Sequence, residues 1–206
     1  MTGIVLVVAG STMAVTGPGF SINGGAEIQI LPGGHAWVPV TAVVPPGTPM
    51  AIYGMNLYLA TQAPFTIDSL ILDTPGSGTF WDGNSTGANV FTHVSHSFVP
   101  PEYAVGYVTV PADPVPIADG VTVGILKVVA PAGMGFGTTG TLSTILPPPY
   151  GPRPSDWADR PAASQGLAAL HQGLATLRVM PEPGGVMLMA AALALTQRRR
   201  IRSSRR

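Results

Sequence analysis

The chain has 206 residues, and its ten Lys+Arg balance ten Asp+Glu to a formal net charge of zero. Six of the ten basic residues are arginines crowded into 198–206, so residues 1–197 keep only Lys127, Arg153, Arg160 and Arg178 against all ten acids. An acidic body with one lysine lacks the electrostatic footprint of nucleic-acid binding. A hydrophobic content of 46% excludes charge-driven disorder, and the lack of Cys excludes disulfides, thiolate metal sites and a Cys nucleophile. Gly (26) and Pro (22) are abundant, which disfavours long helices.

In chain order, residues 1–19 read as a truncated signal peptide or as a first strand. The apolar run Gly3 to Ala9 is followed by Ser11-Thr12-Met13-Ala14, which puts small residues at −3 and −1 of a signal-peptidase cut after Ala14, but no basic residue precedes it. From 20 to 146, short β-type runs alternate with Gly/Pro breaks. Eight strands are predicted: 26–31, 35–44, 51–61, 65–72, 88–98, 103–110, 121–130 and 138–146. Their spacing, and the missing 3.6-residue period, predict a mainly β fold, an antiparallel β-sandwich of about eight or nine strands. Period-two alternation places Tyr53, Met55, Leu57 and Leu59 on one face. It groups Val121, Val123, Ile125 and Val129 with Lys127 at the rim, and Tyr103, Val105 and Tyr107 as a third set.

Residues 147–163 carry six prolines in 147–162 and read as a semi-rigid linker. The alternative is a strap that docks Tyr150 and Trp157 on the sandwich. Residues 164–178 hold a seven-residue tandem that sets Leu167, Leu170, Leu174 and Leu177 at helical spacing. A short helix is the favoured reading, and a final strand around 174–179 is the alternative. Residues 179–206 combine Pro181-Glu182-Pro183, an uncharged apolar run over 184–197, and a basic stop that includes Arg198, Arg199, Arg200 and Arg202. Two prolines hold a peptide extended, Ala, Leu and Met favour helix, and arginines stay on the cytoplasmic side of a membrane. The 13 residues 184–196 would span roughly 20 Å as a helix, short of the ~30 Å hydrocarbon core, a gap that snorkelling arginines narrow.

This ordered tail resembles the PEP-CTERM sorting signal. The resemblance implies an exported precursor held in the inner membrane, an exosortase as processing partner, and release to the cell envelope, surface or extracellular matrix, often where exopolysaccharide is made. The body resembles cohesin-like and carbohydrate-binding-module-like sandwiches. The points of likeness are the turn at Pro32-Gly33-Gly34 into Trp37-Val38-Pro39-Val40-Thr41, the run Tyr53 to Leu59, and Asp119-Gly120-Val121 leading into Gly124 to Val128.

No catalytic, cofactor or metal site is expected. His93 and His96, three apart on a strand, point to opposite faces. Asn84-Ser85-Thr86 is a formal glycosylation sequon without weight in a bacterial setting. Phe80 and Trp81, between turn residues, are the candidate ligand-facing aromatics. The expected function is a non-catalytic surface or matrix protein whose sandwich binds polysaccharide or another protein. The alternative is a secreted polysaccharide hydrolase using Asp68 with Asp73, or Asp82. A flat aromatic strip favours the first, and paired carboxylates in a cleft favour the second.

Overall fold

Alternation of buried and outward-facing side chains runs through the whole of 35–43, where Ala36, Val38, Val40 and Ala42 are buried while His35 and Trp37 are exposed. That is the period of a strand with one face on a core and one in water. The computed structural model describes residues 17–47, 50–82, 89–95, 102–110, 113–146, 153–158, 167–168 and 171–181. The leader reading of residues 1–16, the sequon, His96, Tyr150, Glu182, Pro183, the apolar run 184–197 and the arginine cluster lie outside the described residues. No helix among the described residues is long and apolar enough to cross a membrane.

The strands are β1 (Gly19–Ile22), β2 (Ile28–Ile30), β3 (His35–Val43), β4 (Met50–Ile52), β5 (Gly54–Thr61), β6 (Thr66–Ile71), β7 (Asn89–Ser95) and β8 (Glu102–Thr109). They continue as β9 (Val115–Ile117), β10 (Thr122–Val129), β11 (Thr139–Ser143), β12 (Ile145–Leu146), β13 (Arg153–Pro154), β14 (Asp156–Ala158), β15 (Leu167–Ala168) and β16 (Leu174–Val179). Two sheets form the sandwich. The first runs β1-β3-β10-β6, antiparallel throughout. In the second, β7 pairs β8 and β8 pairs the full length of β5. The other edge of β5 is shared: β14 takes Gly54–Asn56, and β11 takes Ala60 and Thr61. β16 then pairs β11, and β2 closes that edge in parallel. Between the sheets lie Phe20, Ile22, Val38, Val40, Ile67, Leu126 and Val128 from the first, and Met55, Leu57, Leu59, Val108, Leu142 and Leu177 from the second. Burying a side chain of this size contributes about 1.5–3 kcal/mol, so the sheets hold each other through this layer.

Four expectations change. First, residues 153–158 are not linker: β14 is a strand of the second sheet, and Trp157 is fully buried with its ring 4.2 Å from that of Phe20. Proline only bars continuous pairing, and the Ser-Asp-Trp-Ala run between prolines is long enough for three paired residues. Second, the favoured helix over 164–178 gives way at 174–179 to the alternative, a last strand, with Ala175, Leu177 and Val179 buried alternately. The two glycines of the tandem weaken a helix, while the edge of β11 offers a full ladder of partners. The sandwich thus extends beyond 20–146, from Gly19 to Val179. Third, β10 turns the other face inward. A bulge between Thr122 and Gly124 shifts its register against β3, so Leu126 and Val128 are buried while Ile125, Lys127 and Val129 face out. One inserted residue exchanges the faces of everything after it. Fourth, the predicted strand 51–61 breaks at Tyr53: the peptide N–H of Tyr53 bonds the Ala158 carbonyl at 2.7 Å, and Gly54 has φ 152°, where a Cβ would overlap the Val108 carbonyl.

Candidate functional site

The set Tyr103, Val105 and Tyr107 lies on one face of β8, as expected, and that face is the outer one. Gly106 points inward instead: a Cβ on it would come within 2.6 Å of a Leu72 methyl and 2.9 Å of a Leu70 methyl. The missing side chain lets β8 lie close over β6, and alternation then sends Tyr103 and Tyr107 outward. Register does the rest. Phe91 pairs Tyr107, Tyr107 pairs Asn56, and Asn56 pairs Asp156, which makes one row across β7, β8, β5 and β14. The next row holds His93, Val105 and Tyr58, and the one after it Ser95, Tyr103 and Ala60.

Phe91 and Tyr107 are 44% and 38% exposed, and their rings stack at 5.0 Å with 19° between planes. His93 lies nearly parallel to Phe91 at 6.4 Å. The row from Phe91 to Asp156 crosses three strand spacings, roughly 14 Å. Its far end is polar: Asn56 Nδ2 donates to Asp156 Oδ1 at 2.6 Å. Burial pushes the Asp156 carboxyl above its ordinary value of 3.8, and the hydrogen bond from Asn56 opposes that rise. A partly desolvated carboxylate at the border of an aromatic strip is a costly feature for folding, and perturbed groups of this kind gather at functional sites.

Asp156 is held in place from behind by a buried polar cluster. Ser155 Oγ accepts from the Tyr58 N–H at 2.8 Å and lies within hydrogen-bond distance of the carbonyls of Thr144 (2.9 Å) and Tyr58 (3.1 Å). Gln172 Nε2 donates to the Ser155 carbonyl at 3.0 Å, while the Thr144 hydroxyl donates to Gln172 Oε1 at 2.8 Å. Satisfied buried polar groups of this sort fix one arrangement, here the seating of β14 on β5.

The expected site residues fall elsewhere. Trp81 is not a ligand-facing aromatic: it is 0% exposed, with the half-buried Phe80 edge-on at 5.0 Å. The turn that carries them closes on itself. The Thr79 hydroxyl bonds the Leu72 carbonyl, and Asp82 Oδ2 accepts from the Gly76 N–H at 2.8 Å. A large indole gains more by plugging the end of the core than by standing in water. Asp68 is exposed on β6 and forms an ion pair with Lys127 at 2.9 Å. Of the carboxylates named for hydrolysis, Asp68 and Asp82 are thus engaged in separate local contacts. Among the described residues, no group of three His, Asp or Glu could hold a metal ion. Pro181, the first residue of the expected tail signal, is described and half-buried.

No family model matches the chain, and no curated protein matches its sequence. Solved structures do. The sixth cohesin of scaffoldin B from Acetivibrio cellulolyticus, in complex with a dockerin, is 15% identical and covers 80% of this chain and 99% of its own, with a TM-score of 0.49. The seventh type I cohesin of ScaB from Pseudobacteroides cellulosolvens is 12% identical over 81% of this chain and 96% of its own, also at 0.49. The third ScaB cohesin of R. flavefaciens, in complex with a group 1 dockerin, is 15% identical over 83% of this chain and 100% of its own, at 0.48.

Proposed function

We propose that this chain is an exported bacterial surface or matrix protein whose sandwich binds polysaccharide without turning it over, through the outer face of its second sheet. The observation that carries the reading is the row of stacked Phe91 and Tyr107 continued by the Asn56–Asp156 pair. A pyranose offers an apolar C–H face and a rim of hydroxyls. The rings supply flat apolar contact, and the amide and carboxylate supply a donor and acceptors. A flat face also admits the middle of a long chain, which a closed pocket does not. Delivery rests on the tail: the order Pro181-Glu182-Pro183, apolar run, arginines supports processing by an exosortase at the inner membrane, after which the six arginines leave with the discarded segment.

The test is affinity electrophoresis in gels cast with hydroxyethylcellulose, xylan or galactomannan. The parent protein should be retarded by at least one polymer. Phe91→Ala with Tyr107→Ala should weaken that retention about tenfold, the equivalent of roughly 1.4 kcal/mol. Retention unchanged in the double variant, or release of reducing sugar by the parent protein, overturns the reading.

A further inference from the structure

The outer face of the first sheet carries an aromatic centre of its own. Trp37, on β3, is 46% exposed. Lys127, the only lysine of the chain, lies directly across from it on β10, with its ammonium 5.7 Å from the indole centroid. His35 stands edge-on to Trp37 at 6.3 Å. A bulge in β6 completes the group. Lys127 pairs Ser69 while Val128 pairs Ile67, so Asp68 is the extra residue, and its carboxylate meets the Lys127 ammonium at 2.9 Å. Bulges re-aim side chains beside functional sites.

The core gains nothing from this arrangement, because Ala36, Val38, Val40 and Ala42 already face it. The exposed indole offers a flat apolar contact face. Around it stand a cationic donor and an anionic acceptor that cancel in net charge, which suits an uncharged, hydroxyl-rich ligand. The β7–β8–β5 strip faces out from the opposite sheet, so the two aromatic centres look away from each other across the thickness of the sandwich.

We propose that the domain is bivalent. Trp37, Lys127 and Asp68 form a second site for a neutral polysaccharide, and one domain bridges two glycan chains, one on each outer face. This rests on the reading that the Phe91–Tyr107 strip binds such a chain.

The probe is the polymer of the gel panel that retains the parent protein, immobilised on beads, followed by the same polymer with a fluorescent label. Calorimetry with a hexasaccharide of that polymer gives the number of sites. The parent protein should capture labelled chain on the beads and bind two hexasaccharides. Trp37→Ala should still be retained by the beads, lose capture of the labelled chain at least tenfold, and bind one hexasaccharide. Lys127→Met should do the same in lesser degree, and an unchanged melting temperature in both variants separates loss of a site from loss of the fold. If Trp37→Ala bridges as well as the parent, the second site is wrong and the first stands. If the parent is held by none of the three polymers, both readings fall.

Discussion

Asp156 is the residue at which folding and the proposed binding pull apart. Its carboxyl is raised above 3.8 by burial, so the folded state holds a proton that the unfolded chain has already released. A raised acid contributes its stability below the unfolded value, and that contribution is lost as pH climbs through the folded one. At pH 7 the ionised group therefore works against the fold. Asp156→Asn keeps an acceptor for Asn56 and removes the charge. We expect it to melt higher than the parent at pH 7, with the gap narrowing as pH falls through the raised folded value and gone below about 3.8, read by calorimetry across pH. An equal gap at all pH values contradicts the account. The pairing was illegible in the sequence because Asn56 and Asp156 are 100 residues apart. Phe91 and Tyr107 were each visible as strand aromatics, but their stacking depends on the register between β7 and β8.

At the scale of elements, β14 decides whether the site exists. Three paired residues would not hold a strand in water. Trp157 stacks on Phe20, and Ser155 ties the strand to β5 and to the Thr144–Gln172 cluster. Trp157→Ala should cost about 3–5 kcal/mol in urea unfolding, where a linker residue would cost close to nothing. The short run that failed to announce itself as a strand is thus one the core depends on. Proline content measures what the backbone cannot do locally, and it is silent about a tryptophan with a stacking partner 137 residues away. The bulges teach the same lesson: alternation in β10 was legible, but a single inserted residue near Gly124 reversed which half of it is buried.

For the whole molecule, the last strand runs directly into the segment proposed as a sorting signal. β16 ends at Val179, and the Met180 N–H still bonds the Ile30 carbonyl at 3.0 Å, so the folded body reaches to within one residue of Pro181. Replacing Pro181, Glu182 and Pro183 with alanine should leave full-length protein in the inner-membrane fraction, seen as a higher mass on fractionation. Normal release of the shortened protein would refute the processing proposal. Under the processing proposal, the net charge of zero belongs to the precursor, and the released body is acidic.

Strand periodicity and turn residues are local patterns, so most strands and the β class were readable from the chain of 206 residues. Which face of a strand meets water is not local. It follows from register, bulges and the competition for core volume, where Trp81 went in and Phe91, Tyr107 and Trp37 stayed out. The candidate binding faces belong to that second kind, since each is assembled by the register of strands paired within one sheet.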